Sequence, residues 1–278
     1  MVQKERRVLP RVGARKIYHL IRPQLIEDNI SFGRDKLFRL MRENRLLIKP
    51  KRRYIQTTDS KHWLKKYPNL AKTLVLNQPE QLWVSDITYL KTEEGNCFLG
   101  LVTDAYSRKI VGYSIEDNME ATTIAKALSM AIQDRQYSHA LIHHSDRGMQ
   151  YCSNEYVNLA CKNNIMMSMT ENSDPYENAL AERMNRTIKE EFCLDQPLPT
   201  RELTKKVVKN AIELYNNYRP HLSLKYKTPN QQHKVITTSE KLNLIVSNEA
   251  EVSSAEEQLI RISLTDGNDK AVEKPSTA

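Results

Sequence analysis

The chain has 278 residues, 40% of them hydrophobic and 27% charged, which is enough for one globular domain of ordinary size with small additions. Its 42 Lys/Arg against 34 Asp/Glu leave a net charge of +8, and this favours a polyanionic partner. No apolar run approaches the roughly 20 residues of a membrane span, and the first thirty residues lack the apolar core of a signal peptide, so we expect a cytoplasmic protein.

The basic charge is concentrated at the N-terminal end, where residues 1–80 carry 20 Lys/Arg and only 7 Asp/Glu. Apolar residues at helical spacing around Ile17 and again around Leu37 predict two short helices separated by a turn, with Ser31 as the cap of the second. We therefore expect a basic helix-turn-helix-like domain over residues 1–55, although a solvated helical face would show the same charge pattern. The candidate DNA-contacting residues of this region are Arg34, Lys36, Arg39, Arg52 and Arg53, the last two in a basic run that could follow phosphates.

The middle of the chain alternates between strand and helix patterns. Three successive runs rich in β-forming residues follow one another from residue 82 onward. Helices and short strands then follow in the order α-β-α-β-α. This order predicts an α/β protein with a ribonuclease-H-like mixed five-stranded sheet flanked by helices. We place a linker at residues 56–79, the core domain at 80–235 and a partly disordered tail at 236–278.

Three acidic residues stand out by their positions in these elements. Asp86 lies within the first strand, where a carboxylate beside the core needs a cation or hydrogen bonds to compensate its burial. Asp146 directly follows the fourth strand, and Glu182 lies in the first turn of the helix after the loop that contains Pro175. Taken singly, each is more often a turn, cap or solvated residue; together they could supply the oxygen ligands that magnesium prefers.

In combination the motifs resemble a known family, the DDE transposases and integrases. The closest resemblance is to the catalytic subunit (OrfB) of insertion sequences with two overlapping reading frames. Thirty-five residues separate Asp146 from Glu182, as in the D-D-35-E signature, and the resemblance covers roughly residues 12–232. The segments that carry it are 83–89 (WVSDITY), 104–108 (DAYSR), 144–148 (HSDRG), 177–182 (ENALAE), 215–221 (YNNYRPH) and 228–229 (TP).

This resemblance implies an enzyme that cleaves DNA and joins strands. Asp86, Asp146 and Glu182 would be both the catalytic residues and the ligands of two Mg²⁺ (or Mn²⁺) ions, and Arg186 and Lys189 would contact DNA near the cut. The implied partners are element-end and target DNA, further copies of the chain on that DNA, and an upstream-frame DNA-binding protein, fused or separate. The chain departs from related proteins in two ways. The loop before Pro175 lacks the glycine that relatives often have there, and the N-terminal region has no cysteine with which to form the zinc domain of retroviral integrases.

Several alternatives remain open from the sequence. Asp104 ends the second strand and could be a ligand, but it fits a turn-forming residue better. His144 could contact DNA or carry a proton, although a hydrogen-bonded, half-buried histidine is the more usual role. The whole chain could also be a non-catalytic DNA-binding regulator derived from a transposase, or a nuclease of the same fold that cuts without joining.

Overall fold

A computed structural model describes residues 1–48, 64–171 and 175–234, with the backbone alone for 175 and 176. Residues Met1–His233 form one compact unit. The strands are β1 (Leu82–Thr92), β2 (Gly95–Asp104), β3 (Ile110–Glu116), β4 (Leu141–Ser145) and β5 (Ile165–Met169). The helices are α1 (Val2–Val8), α2 (Ala14–Glu27), α3 (Arg34–Glu43), α4 (Ala121–Gln133), α5 (Asn154–Lys162), α6 (Ala179–Glu191), α7 (Arg201–Tyr218) and α8 (Pro229–His233), with 3-10 helices at Pro175–Asn178 and Leu222–Leu224.

The five strands form one mixed sheet in the order β3-β2-β1-β4-β5. β1 pairs with β2, and β2 with β3, in antiparallel fashion, whereas β1 with β4 and β4 with β5 are parallel. The predicted mixed five-stranded α/β sheet flanked by helices is therefore confirmed. β1 occupies the centre, so a side chain on it can meet residues from the neighbouring strands and from a helix above.

Helices cover both faces of the sheet. Because successive side chains of a strand point to opposite faces, the neighbours Leu101 and Val102 on β2 belong to different hydrophobic clusters. Val102 packs with α4 and α5, and Leu101 with α6 and α7. On β3, a Cβ added to Gly112 would lie 2.1 Å from the Ala127 carbonyl oxygen, so the close seating of α4 requires glycine there.

The N-terminal helices share the cluster on the α6–α7 side. Ile17 and Ile21 of α2 and Leu37 and Met41 of α3 are buried in it, as their helical spacing predicted. The N-terminal helix α1 was not predicted. The expectation that Ser31 caps α3 is wrong. The N-cap is Gly33, whose backbone is extended and which has no side chain to accept hydrogen bonds from the free amides of the first turn.

Some expectations fall outside the described residues. Arg52 and Arg53 lie in the stretch 49–63, and the tail at 236–278 is likewise not described. The domain boundaries at residues 55, 79 and 235 accordingly stay predictions. Within the described ranges, no helix has the length and apolar character needed to cross a bilayer.

Candidate active site

Asp86 lies on the central strand with its carboxylate held from two sides. Asn185 on α6 donates its Nδ2 hydrogen to Oδ2 at 2.9 Å, and the backbone amide of Ile87 donates to Oδ1 at 2.9 Å. Burial, and next the negative charge of Asp146, raise the pKa of Asp86 to about 7, with Glu182 adding to the rise and the two hydrogen bonds opposing it. A bound cation would stabilise the ionised form of this carboxylate.

Asp146 reaches the same region from the neighbouring parallel strand. Val84 on β1 pairs with His144 on β4, so Asp86 and Asp146 each stand two residues beyond a paired position. The Asp146 carboxylate accepts a hydrogen bond from the backbone amide of Gly148 at 2.9 Å. A Cβ at Gly148 would come within 2.9 Å of the same oxygen, Oδ1, so the glycine lets the chain turn closely around this acid.

Glu182 approaches from above the sheet, in the first turn of α6. It is exposed, and its pKa is raised by partial burial and by Asp146, while Arg186 acts in the opposite direction. Each pair among the three acids therefore interacts electrostatically. The part of the chain that the structure describes nevertheless contains no group of three His, Cys, Asp or Glu side chains close enough to hold a metal ion together.

One face of α6 runs along β1. Glu182, Asn185, Arg186 and Lys189 are spaced by three, four and seven residues and so share that face. The Lys189 ammonium lies 2.9 Å from the Tyr89 carbonyl oxygen and 4.8 Å from the centre of the Tyr89 ring. Arg186 is exposed beside Glu182.

Two buried side chains join the start of α6 to the strands that carry the aspartates. Asn178, at the N-cap of α6, donates from Nδ2 to the Ser85 carbonyl oxygen at 3.1 Å. His144 Nε2 lies 3.0 Å from the Glu177 carbonyl oxygen, and its Nδ1 lies 2.8 Å from the hydroxyl of Ser168. These contacts set the position of Glu182 relative to the two aspartates.

The sequence did not single out Asn178 or Asn185 as functional residues. Asn185 follows Glu182 by three residues on the same helical face, and Asn178 lies within the segment 177–182. An asparagine at such a spacing from a candidate ligand was the available signal. Nothing in the local pattern names its partner, which lies on a distant strand.

Both histidines of β4 have structural surroundings. Burial lowers the pKa of His143 to about 3, and its Nε2 lies 2.7 Å from the Ser85 hydroxyl and 2.9 Å from that of Tyr156. Burial also lowers the pKa of His144, whose two ring nitrogens both have partners within the protein. This arrangement favours the hydrogen-bonded reading of His144 over contact with DNA.

Asp104 is a structural residue. It is fully buried; Oδ2 accepts from the Glu80 amide at 2.7 Å, and Oδ1 accepts from the Ser107 amide at 2.7 Å and the Ser107 hydroxyl at 2.6 Å. Its oxygens are thus occupied by the turn after β2, in agreement with the turn-forming role.

The other basic candidates that the structure describes lie on a separate helix. Arg34, Lys36 and Arg39 are exposed on α3, and Arg34 is paired with Asp35 at 2.9 Å. The structure therefore gathers the acids with Arg186 and Lys189, and it presents the α3 residues on a helix that packs against α2.

Comparison with known proteins adds the family context. Two family models described as Integrase core domain match residues 77–175 and 163–229. The 31 kDa protein of insertion element IS600 from Shigella sonnei is 37% identical over 206 residues, which cover 73% of this chain and 76% of that protein. The transposase InsF of insertion sequence IS3A from Escherichia coli (strain K12) is 32% identical over 213 residues, covering 76% and 73%.

A solved structure is similar as well. The catalytic core domain of HTLV-2 integrase, in complex with magnesium, superimposes with a TM-score of 0.45 at 22% identity, over 56% of this chain and 98% of that one. The matching core models, together with the order and directions of the five strands, confirm the ribonuclease-H-like fold class.

Proposed function

Because the chain belongs to the family of insertion-sequence transposases with an integrase core domain, we propose that it cleaves DNA at element ends and joins the freed ends to target DNA, using Asp86, Asp146 and Glu182. The observation that carries this proposal is the mutual electrostatic effect of the three acids, which come from two adjacent parallel strands and one helix. A site that brings three acids within electrostatic reach of one another is suited to hold divalent cations.

The donor set fits Mg²⁺ or Mn²⁺, since carboxylate oxygens are the ligands that these hard cations prefer. Asp86, Asp146 and Glu182 would hold the metal, and we expect two ions. Divalent cations at such a site activate the attacking oxygen and stabilise the departing one in a phosphodiester displacement. The protein's own part is to keep Asp86 oriented through Asn185 and Ile87 and to hold α6 above the strands through Asn178.

The first reaction is a hydrolysis. A water oxygen forms a bond to phosphorus at the element end, the bond from phosphorus to the 3′ oxygen breaks, and that oxygen takes up a proton as a 3′-hydroxyl. In the second reaction this hydroxyl loses its proton and bonds to a target phosphorus, whose own bond to a 3′ oxygen breaks, and that oxygen takes up a proton as a new 3′-hydroxyl. One phosphodiester replaces another in this step, so no nucleotide triphosphate is required.

Basic residues would hold the DNA during both reactions. Arg186, exposed beside Glu182, is placed to meet a phosphate near the cut. Lys189 would contact DNA from the same face of α6. Its ammonium is positioned by the hydrogen bond to the Tyr89 carbonyl oxygen and by the Tyr89 ring. The α3 residues Arg34, Lys36 and Arg39, and Arg52 and Arg53 of the basic run, would add affinity for DNA.

Assembly belongs to the same proposal. We expect several copies to act together on DNA in the bacterial cytoplasm, alone or with an upstream-frame DNA-binding protein. The segment 1–55 would be the DNA-binding domain and 80–235 the catalytic core.

Two assays on the full chain test this function. Nicking of supercoiled plasmid in Mg²⁺ or Mn²⁺ separates an enzyme from a non-catalytic DNA-binding regulator, for which no nicking would appear. Incubation of pre-cut element ends with target plasmid separates a transposase from a nuclease of the same fold, since a nuclease would cut without producing joined strands. Joined product that depends on divalent metal is the expected result.

A further inference from the structure

The exposed side of α2 contacts the loop that follows α7. His19 on α2 stacks on Tyr226, with ring centres 4.5 Å apart and planes 12° from parallel. His19 and Arg22 lie one helical turn apart and are both exposed. The stack therefore brings the loop after α7 close to the exposed Arg22 of α2.

That loop, residues 221–227, has a defined shape. Tyr226 donates its amide hydrogen to the His221 carbonyl oxygen at 2.8 Å, and the His221 amide donates to the Lys227 carbonyl oxygen at 3.1 Å. Lys225 and Tyr226 have φ values of 52° and 66°, which are unfavourable for residues with a Cβ. Internal hydrogen bonds and the stack on His19 hold this conformation, and it leaves Lys225 and Lys227 exposed.

The charges around the aromatic pair are mostly positive. Burial, and next the charge of Arg22, lower the pKa of His19, so Arg22 lies near the stacked ring. Arg34 lies near Tyr226, and its hydrogen-bonded partner is Asp35. We call the set His19, Arg22, Arg34, Lys225, Tyr226 and Lys227 the α2–loop surface.

The α2–loop surface is anchored to the helix that carries Glu182. Glu191, at the end of α6, accepts two hydrogen bonds from Arg219, at 2.7 and 2.6 Å, and lies 3.2 Å from the Lys16 ammonium. Lys16 belongs to α2, and Arg219 precedes the loop and also bonds to His221 at 2.7 Å. Both halves of the surface are thus tied, through one carboxylate, to α6.

We propose that the α2–loop surface binds the phosphate backbone of duplex DNA and holds it in a fixed relation to the catalytic helix. The surface has four cationic side chains around the stacked aromatic rings, namely Arg22, Arg34, Lys225 and Lys227. Such a surface suits DNA that is bound through its phosphate charges and not through its base sequence. Tyr226 acts as a positioning residue that keeps the two lysines in place. The inference rests on the proposed function only in taking DNA as the substrate.

The test compares two double variants of the full chain. Lys225→Ala/Lys227→Ala removes two cations from the surface, and Lys205→Ala/Lys206→Ala removes two exposed lysines from α7 that are paired with Asp117 and Glu202. Binding to a fluorescent element-end duplex and to an unrelated duplex is measured by fluorescence anisotropy without divalent metal. The salt concentration is varied from about 50 to about 300 mM, a range that includes physiological ionic strength.

For Lys225→Ala/Lys227→Ala we expect about a tenfold to hundredfold loss of affinity near 0.1 M salt on both duplexes, and a log–log salt slope smaller by about two. The control should match the wild type. An unchanged slope overturns the proposal, and so does a loss confined to the element-end duplex, because a backbone contact is shared by both. Melting curves check that each variant is folded.

Tyr226 supplies a second comparison. Tyr226→Phe keeps the stack and should bind as the wild type does, whereas Tyr226→Ala should weaken binding. Equal binding by both would remove the positioning role. These measurements need no cleavage, so failure of the catalytic proposal, seen as absent nicking by the wild type, is distinguishable from failure here.

Discussion

Asp86 on β1 and Asp146 directly after β4 each stand two residues beyond Val84 and His144, which pair in the parallel register of these two adjacent strands. Since side chains repeat their direction every second residue, this register directs both acids to a common region at the end of β4. The charge of Asp146 is therefore the second cause, behind burial, of the raised pKa of Asp86. Four predictions follow from this relationship and from the contacts around it.

Replacing Glu182 by Gln should reduce strand cleavage by more than about a hundredfold while leaving folding and DNA binding largely intact. A loss of this size is expected because even outer contacts to metal ligands contribute tenfold to a hundredfold. Nicking of supercoiled plasmid in Mg²⁺ measures it. Glu202→Gln, an exposed acid in the first turn of α7, is the matched control and should nick normally. Wild-type nicking by Glu182→Gln would contradict the assignment.

Replacing Asn185 by Ala should raise the Mg²⁺ concentration needed for half-maximal cleavage by about tenfold to a hundredfold. The reason is that the Asp86 carboxylate loses the hydrogen bond that orients it. Asn217→Ala is a suitable control, since Asn217 is an exposed asparagine on α7 that bonds the Glu213 carbonyl oxygen. A drop in cleavage with an unchanged metal requirement would argue that Asn185 matters for packing alone.

Replacing Asp86 by Asn should stabilise the metal-free protein at pH 8 and abolish its stabilisation by Mg²⁺. A carboxyl whose pKa is raised to about 7 opposes folding as pH rises from about 4 through 7, because the unfolded chain ionises more readily. Wild type should gain roughly 2.7 kcal/mol at a Mg²⁺ concentration a hundred times the dissociation constant. Thermal melting at pH 6 and pH 8, with and without Mg²⁺, measures both effects. An equal Mg²⁺ shift in the variant would place the metal elsewhere.

Replacing Lys16 by Met should flatten the dependence of stability on pH between 8 and 10.5. Burial, followed by the charge of Arg219, lowers the pKa of Lys16 to about 8, so the folded protein releases this proton before the unfolded chain does. Wild-type stability should therefore rise across that window relative to the variant, by up to roughly 3 kcal/mol.

Urea unfolding at several pH values, compared between the wild type and Lys16→Met, gives this difference directly. Glu191 keeps its two hydrogen bonds from Arg219, so the variant should remain folded at neutral pH. A constant difference in unfolding free energy from pH 7 to 10.5 would mean that Lys16 titrates normally in the folded protein.

The amino-acid sequence by itself was enough to predict the strands of the sheet and most of the helices, and to single out the three acids as candidates. Strand alternation and helical spacing are local signals, so the sheet and the helix of Glu182 could be predicted from them. The spacing of 35 residues between Asp146 and Glu182 is likewise a property of the chain alone. Where the local signal was weak, as at Ser31, the prediction failed, because the start of α3 depends on backbone geometry at Gly33.

Only the tertiary structure decided which side chains serve those acids. The bonds from Asn185 to Asp86 and from Asn178 to Ser85 each join residues about a third of the chain apart, and the pair of Lys16 with Glu191 spans even more. No periodicity records such pairings, since they arise when strands and helices pack and the partners meet. The three acids could therefore be proposed from the sequence, whereas the contacts that position them depend on the folded arrangement.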